Sequence, residues 1–233
     1  MILSKRLTTI ASLVPVGSRV ADIGTDHGYT PIYLVKNGMA VSAIAMDVRS
    51  GPLSRAAEHV KEHGLEDKIQ LRLSDGLEKL QANEADTVII SGLGGPLMID
   101  MLTRGEEVAK TVTTFVLSPQ SDISGVRVFL REHGYRIDHE VFMKDEGKYY
   151  TVMVVTHGQS EPGRYIDDLF GRELLERKDP VLREYLEKEE ARYLQLIPTL
   201  ESSSREETQE RAAQMRGELA WIQQALKVME ETV

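Results

Sequence analysis

The sequence contains no cysteine among its 233 residues. This absence excludes disulfide bonds, thiolate metal sites and cysteine nucleophiles, and it is compatible with the cytoplasmic location that we predict. Long apolar runs are also missing. The longest, such as residues 87–90 and 152–155, are far too short to cross a bilayer, so no membrane partner is expected. Residues 1–14 lack a sustained apolar core and a cleavage site, which predicts a helix rather than a signal peptide.

Positive charge is scarce as well, because the formal net charge is −9. A protein that binds RNA phosphates normally concentrates lysine and arginine, so this balance argues mildly against a nucleic-acid partner. The excess acid is uneven, with a net charge of −3 for residues 1–160 and −6 for residues 161–233. The first part therefore has either a local basic face or scattered solvated charges. The candidates for such a face are Lys5, Arg6, Arg49, Arg55, Arg127, Arg131, Lys144 and Lys148.

Strand-like and helix-like segments alternate from residue 19 to about residue 156. The strand-like runs are almost continuously apolar, which predicts an α/β fold with a parallel sheet covered by helices on both faces. The predicted strands are 19–23, 42–46, 69–73, 86–91 and 114–117. The predicted helices are 29–36, 53–63, 77–82, 98–103 and 126–133.

Two further strands, 135–143 and 148–155, follow with no room for a helix between them. The turn at residues 145–147 predicts an antiparallel hairpin. Five βα units closed by a reversed hairpin form the arrangement of class I methyltransferases, whereas ordinary dinucleotide-binding Rossmann domains lack the last reversed strand. We therefore predict a Rossmann-like domain over residues 1–160.

The composition changes after Gly163, where two long helical stretches are separated by the polar residues 201–204. Seam positions recur at steps of three and four, which predicts an antiparallel helical hairpin of coiled-coil type over residues 161–233. Pro198 is expected to kink or loosen the first helix near its end. The predicted seams are Leu182, Leu186, Glu189, Tyr193, Leu196 and Leu200, and Ala212, Met215, Leu219, Ile222, Leu226 and Met229.

The residues just after the first predicted strand are candidates for a ligand site, since open α/β sheets bind ligands beyond the carboxyl ends of their strands. The segment runs from Asp22 through Gly24, Asp26 and His27 to Gly28. Its glycines let the backbone approach a ligand closely and turn into the next helix.

The next three strand ends carry similar residues. Asp47 follows the second strand and is placed to accept hydrogen bonds from both hydroxyls of an adenosine ribose. Asp75 and Gly76 follow the third, where a carboxylate accepts the adenine amino group, and Gly92 opens the loop after the fourth, beside the reactive methyl. A single glycine or aspartate at a strand end commonly serves only to form a turn. Such residues after four successive strands together indicate an adenosine-containing cofactor.

The glycine turn favours one adenosine cofactor over the others. It reads GTDHG rather than GxGxxG. Asp26 stands where the pyrophosphate of NAD or FAD would lie, and repulsion between these negative charges disfavours both cofactors. A P-loop motif is also absent. S-adenosylmethionine has no phosphate and carries a sulfonium and an ammonium group, which acidic residues favour. We therefore predict S-adenosylmethionine as the cofactor.

Five segments together resemble the bacterial tRNA (adenine-22-N1)-methyltransferases, and the resemblance covers nearly the whole chain. They are LSKRL (residues 3–7), ADIGTDHGYTP (21–31), GLGG (92–95), DEGKYY (145–150) and FGRELLERKDP (170–180). The resemblance implies methyl transfer from S-adenosylmethionine to N1 of one adenine of a tRNA. The family usually has DIGSDHAYLP, GMGG and often a glutamate after the second strand, so this chain departs at Thr25, Gly28, Thr30, Leu93 and Asp47.

N1 of neutral adenine already holds a free lone pair, so no base is needed to create the nucleophile. We therefore expect catalysis mainly by in-line alignment of N1, the methyl carbon and the sulfur. Asp26 is the first candidate to stabilise the charge that develops on the ring, through the 6-amino group. Tyr29 is either a core residue or lies under the cofactor or against the target base. Tyr149 is the other candidate to stack on that base. His27 either contacts the cofactor or braces the turn.

Other assignments stay open. Lys5 and Arg6 bind the RNA or the cofactor carboxylate, or form only a solvated helix end. The histidines His59, His63 and His133 have no metal-ligand spacing and are interpreted as surface residues, so no metal is expected. The alternatives are another class I methyltransferase with a different substrate, and a non-catalytic RNA-binding or scaffold protein of the same fold. The oligomeric state is open between a monomer and an assembly.

Overall fold

The computed structural model describes residues 3–231, which divide into two compact units, one ending at Pro162 and the other beginning at Gly163. The first unit contains a seven-stranded sheet in the order β3-β2-β1-β4-β5-β7-β6. Strands β1 to β5 are parallel, and β7 pairs antiparallel with both β5 and β6. This arrangement confirms the predicted α/β class. The strands are β1 (Ser18–Ile23), β2 (Ala40–Asp47), β3 (Ile69–Leu73), β4 (Thr87–Ser91), β5 (Thr114–Ser118), β6 (Tyr135–Asp145) and β7 (Lys148–His157).

The sheet separates two hydrophobic cores, since successive strand residues point to opposite faces. On β4, Ile90 belongs to one core and Ile89 to the other, and both are fully buried. Burial on both faces is the reason that the strands read as continuous apolar runs. The helices of this unit are α1 (Lys5–Ser12), α2 (Tyr29–Lys36), α3 (Ser50–Glu62), α4 (Gly95–Arg104), α5 (Glu106–Ala109) and α6 (Ile123–Glu132).

The helix predicted at residues 77–82 is wrong, because this segment forms turns between β3 and β4. Ser74 decides the local structure: its hydroxyl donates to the carbonyl oxygen of Gly76 (3.0 Å) and accepts from the backbone N–H of Lys79 (3.1 Å). Such bonds compete with helical ones. Leu77 and Leu80 are buried all the same, so the apolar pattern reflects core packing and not helical periodicity.

The hairpin of β6 and β7 turns at Glu146 and Gly147, which have φ angles of +47° and +78°. Two residues with positive φ are typical of the tight turns that join antiparallel strands. Arg127 of α6 forms a buried ion pair with Glu140 of β6. Arg127 therefore cannot contribute to a basic RNA-binding face, and that expectation is wrong.

The second unit contains α7 (Tyr165–Phe170), α8 (Arg172–Glu176), α9 (Pro180–Glu201) and α10 (Glu206–Glu230). Asp179 caps α9 by accepting from the N–H groups of Val181 and Leu182, both at 3.0 Å. Helices α9 and α10 pack together, which confirms the predicted helical hairpin. The residues buried along it are Leu182, Leu186, Tyr193 and Ile197 on α9, and Ala212, Met215, Ile222, Ala225, Leu226 and Met229 on α10.

One seam position differs from the prediction. Leu196 is 43% exposed, and Ile197 is buried in its place. A straight α-helix has 3.6 residues per turn, so its buried side drifts away from a strict seven-residue repeat. The helix also continues through Pro198 to Glu201. Within the residues described, no helix is both long and apolar enough to span a membrane.

Candidate active site

The turn between β1 and α2 has positive φ angles at Gly24 (+76°), Asp26 (+48°) and Gly28 (+74°). The backbone N–H groups of Gly24 and Thr25 both donate to the carbonyl oxygen of Met46, at 2.8 and 3.0 Å. These bonds fix the turn to the end of β2. The turn therefore forms the floor of an open space beyond the strand ends, as expected for a ligand site in this kind of sheet.

A pocket of about 270 Å³ occupies this space. It brings together residues from the N-terminal helix and from the ends of β1, β2, β4 and β5. The predicted site residues that line it are Arg6, Asp22, Gly24, Asp26, His27, Tyr29, Asp47 and Gly92. Sequence reasoning gave no site role to the other lining residues, which are Leu7, Thr25, Thr30, Arg49, Ser91, Leu93 and Gln120. Most of them adjoin predicted residues in the same loops, and Gln120 follows β5, whose end carries no predicted site residue.

Several predicted residues lie outside this lining. Gly28 is the place where the turn packs on α3, and a Cβ atom there would be 3.1 Å from the Cβ of Ala56. Gly76 (φ +55°) packs against Met101 of α4, where a Cβ atom would come within 2.8 Å of the side chain. Asp75 is half exposed and pairs with Arg104 at 3.3 Å.

The two remaining substrate candidates lie near the tip of the β6–β7 hairpin. The Nζ atom of Lys5 donates to the carbonyl oxygen of Lys144 (3.0 Å). Tyr149 stacks on Phe142 with ring centroids 5.7 Å apart, and the ammonium group of Lys144 lies 5.2 Å from the Tyr149 ring. An aromatic ring beside two lysines is a suitable surface for RNA, which combines stacking bases with phosphates.

Two buried carboxyl groups, Asp22 and Asp47, end neighbouring strands and line the pocket. The pKa of Asp22 is raised to about 6, mainly by burial and to a smaller extent by the negative charge of Asp47. The Thr25 hydroxyl, which lies beside this carboxyl but outside normal hydrogen-bond geometry, lowers the pKa of Asp22. One oxygen of Asp47 accepts from the backbone N–H of Arg49 (2.8 Å). The pair makes this end of the pocket favourable for hydroxyl and ammonium groups.

Three rings form a cluster at the pocket. Tyr29 stacks on His27 with centroids 5.3 Å apart and on His59 with centroids 5.2 Å apart. The Nδ1 atom of His59 donates to the carbonyl oxygen of His27 (3.0 Å), which ties α3 to the turn. His59 is thus half-buried beneath the site, and the interpretation of it as a simple surface residue is wrong. Tyr29 keeps 38% of its surface exposed.

Polar atoms in the pocket fit an adenosine cofactor that carries an amino acid. Arg6 Nη1, Thr25 Oγ1 and His27 Nδ1 are buried without a hydrogen-bond partner, and such atoms are normally satisfied by a ligand or water. Asp22 and Asp47 supply acceptors for hydroxyl and ammonium groups. Among residues 3–231 no group of three or more histidine or acidic side chains is placed to hold a metal ion.

Comparison with known proteins identifies methyltransferases as relatives of this chain. Residues 3–153 match a family model described as a methyltransferase domain. The tRNA (adenine(22)-N(1))-methyltransferase of Bacillus subtilis (strain 168) is 37% identical over 159 residues, which are 68% of this chain and 67% of that protein.

Solved structures resemble both units. Streptococcus pneumoniae Sp1610 in complex with S-adenosyl-L-methionine has a TM-score of 0.86 and 32% identity, and the match covers 97% of this chain and 100% of that one. TrmK of M. capricolum in complex with S-adenosyl-homocysteine has a TM-score of 0.86 and 26% identity, with 99% and 100% covered. Each of these proteins was crystallised with the cofactor or its product.

Proposed function

This chain belongs to the family of tRNA (adenine(22)-N(1))-methyltransferases, and we propose that the pocket beyond β1, β2 and β4 is where it methylates its substrate. It is an S-adenosylmethionine-dependent enzyme that transfers a methyl group to N1 of adenine 22 in tRNA. The observation that carries the placement of the site is the buried pair Asp22 and Asp47 at adjacent strand ends.

The cofactor is proposed to lie across the strand ends. Asp47 accepts from the ribose hydroxyls, and Asp22 and the backbone of the glycine turn, with Gly24, Gly28 and His27, hold the amino-acid side. Because β3 lies next to β2 in the sheet, the adenine ring falls toward Asp75 and Gly76. Gly92 leaves space beside the reactive methyl. S-adenosylmethionine supplies, when bound, a methyl group on a positively charged sulfur.

The protein's contribution to the reaction is alignment and charge stabilisation. N1 lies on the Watson–Crick edge, so adenine 22 has to be unpaired or flipped before it enters the pocket. Tyr29 offers a partly exposed ring against which the base can stack. Asp26, whose side chain is 61% exposed at the pocket, is proposed to accept from the 6-amino group as positive charge develops on the ring. His27 Nε2 lies 3.6 Å from Asp26 Oδ2.

The tRNA surface is proposed to include Lys5, Tyr149 and Lys144 at the hairpin tip. We also propose that residues 1–160 are the catalytic domain and residues 161–233 a helical domain with its own stability. A tRNA substrate leads us to propose that the enzyme acts in the cytoplasm. We propose that the monomer contains a complete site.

Methylation of unmodified tRNA with labelled S-adenosylmethionine, followed by mapping of the modified nucleoside, tests the function. We expect 1-methyladenosine at position 22, and no label in a matched tRNA with guanine at that position. Label in the control tRNA, or label at another nucleoside, would contradict the assigned specificity. Labelling of a small molecule or protein in preference to tRNA would favour another class I methyltransferase.

A further inference from the structure

The helical unit contains a pocket of its own, with a volume of about 520 Å³. Its walls come from α7, α9 and α10 and are rich in aromatic side chains. They include three of the eight tyrosines in the chain and its only tryptophan. The rings are Tyr165, Phe170, Tyr185, Tyr193 and Trp221. Such a concentration of rings in one open pocket is typical of a binding site.

Two of these rings are exposed to solvent and fix each other in position. Tyr165 keeps 57% of its surface exposed and Trp221 keeps 38%. They meet edge to face, with ring centroids 5.0 Å apart and an angle of 63° between the ring planes. Large rings that are already ordered lose little conformational entropy on binding, so they are suited to contact a partner.

Gly217 leaves the space beside Trp221 open. It lines the pocket from the interior of α10, where glycine destabilises a helix relative to most other residues. A Cβ atom at this position would meet nothing within 4 Å, so packing among the described residues does not require glycine. Gly217 and Trp221 are four residues apart on the helix and therefore share one face. The missing side chain keeps the pocket accessible next to the ring.

Two carboxylates, Glu189 and Glu218, give the pocket negative charge. Glu218 accepts at one oxygen from the Tyr193 hydroxyl (2.6 Å) and at the other from Gln214 Nε2 (3.0 Å), which fixes its orientation. Burial and the bond to Glu218 raise the pKa of Tyr193 to about 12, so its hydroxyl remains a donor at neutral pH. Arg211 Nη1 lies 3.9 Å from Glu218, at the outer limit of an ion pair. The carboxylate therefore keeps capacity for a closer cation.

One arginine of the chain shows which group this chemistry holds. Arg192 pairs with Glu189 at 2.6 Å, and its guanidinium carbon lies 5.1 Å from the centroid of the Tyr193 ring. The same combination of a carboxylate and a ring recurs in the pocket at Glu218 and Trp221, which are three residues apart on one face of α10. A guanidinium from another molecule would find both groups there.

We propose that this pocket binds an arginine side chain from a basic segment of a partner protein. The planar guanidinium stacks on the Trp221 ring and donates to the Glu218 carboxylate. Residues 161–233 have a net charge of −6, which attracts a basic segment. An RNA base also stacks on exposed rings, but the carboxylates and the net charge repel its phosphates.

Fluorescence of Trp221 tests the proposal, because this residue is the only tryptophan in the chain and reports on the pocket alone. The probe is a capped Gly-Arg-Gly tripeptide, and the control probe carries citrulline, which has nearly the same shape without the charge. We expect the arginine peptide to change the fluorescence with a dissociation constant on the order of 1 mM. The citrulline peptide should bind at least about 10-fold more weakly, because the cation–π attraction and the ion pair are both lost.

Two pairs of variants locate the binding. Gly217→Leu should abolish it by filling the open space, whereas Ala213→Leu, at an exposed position of the same helix outside the pocket, should bind as the wild type does. Glu218→Gln keeps the shape of the side chain and should weaken binding about 2- to 5-fold, the range for a partly exposed ion pair. Glu207→Gln, at an exposed carboxylate near the start of α10, should have no effect. Each variant should keep the helical circular dichroism of the wild type.

The proposal is wrong if the arginine peptide leaves the fluorescence unchanged, or if the citrulline peptide binds equally well. Adenosine monophosphate that binds more tightly than the arginine peptide would assign the pocket to a base of an RNA instead. Sedimentation that shows dimers of the wild type, but only monomers of Gly217→Leu, would place a second copy of this chain in the pocket.

Discussion

Asp22 and Asp47 lie near the ends of adjacent parallel strands, and each is at least 95% buried, so the negative charge of Asp47 disfavours ionisation of Asp22. Two buried acids side by side are unfavourable for the empty protein and favourable for binding a cation and hydroxyl groups. The two carboxyl groups thus lower the folding stability and raise the affinity for the cofactor, a combination that is common at functional sites.

Asp22→Asn should stabilise the protein without cofactor in a pH-dependent way. Below the unfolded pKa of 3.8 both states are protonated, so the substitution changes nothing; above the folded pKa of about 6 the folded state carries a buried charge. At pH 8 the variant should gain up to about 3 kcal/mol from roughly two pKa units. Urea unfolding at pH 4 and pH 8 measures this. Asp67→Asn, at an exposed carboxylate, is the control, and an equal gain at both pH values would contradict the explanation.

Asp47→Ala should weaken binding of S-adenosylmethionine, because two ribose hydroxyls lose a charged acceptor. The loss should be on the order of 1.5–3 kcal/mol for each bond removed, measured by calorimetry. Asp75→Ala should cost less, since Asp75 is half exposed and already paired with Arg104. Wild-type affinity in the Asp47 variant would place the ribose elsewhere in the pocket.

Asp26→Asn should lower kcat while the dissociation constants for tRNA and cofactor change little. The substitution keeps the shape and tolerates the positive φ of this position but loses the negative charge, so kcat should fall by roughly 10²–10³. Single-turnover methylation at saturating cofactor measures the step directly. An unchanged rate with weaker cofactor binding would show instead that Asp26 braces the turn or binds the ammonium group.

His59→Ala should lower kcat/KM for tRNA by up to about 10-fold, because it removes the ring on which Tyr29 stacks and the bond to His27. His59→Phe, which keeps a ring, should lose less. His63→Ala is the matched control, since among the described residues the His63 ring bonds only to the carbonyl oxygen of His59 in α3. If the His59 and His63 variants lose the same activity, a general weakening of α3 explains both.

Deletion of residues 163–233 should leave a folded domain that binds S-adenosylhomocysteine, because every residue lining the pocket lies before that point. Methylation of tRNA should collapse if the helical hairpin contributes RNA contacts. Calorimetry and the tRNA assay on the same preparation separate these effects. Normal methylation by the truncated protein would restrict the hairpin to stability or assembly.

The sequence by itself determined the parallel sheet and the acidic end of the pocket. Strands buried on both faces have to be continuously apolar, and the carboxyl ends of parallel strands necessarily meet at one edge. Asp22, Gly24, Asp47 and Gly92 could therefore be placed together from their positions after the strands.

The tertiary structure alone decided the remaining features, because they depend on contacts between distant segments. Arg6 enters the pocket because Asp145, 139 residues later in the chain, and the nearby Tyr150 hold it there. His59 reaches the turn through the packing of α3, and Arg127 is removed from the surface by Glu140. A local pattern of residues contains no information about such partners, and it cannot tell a solvated charge from a buried one.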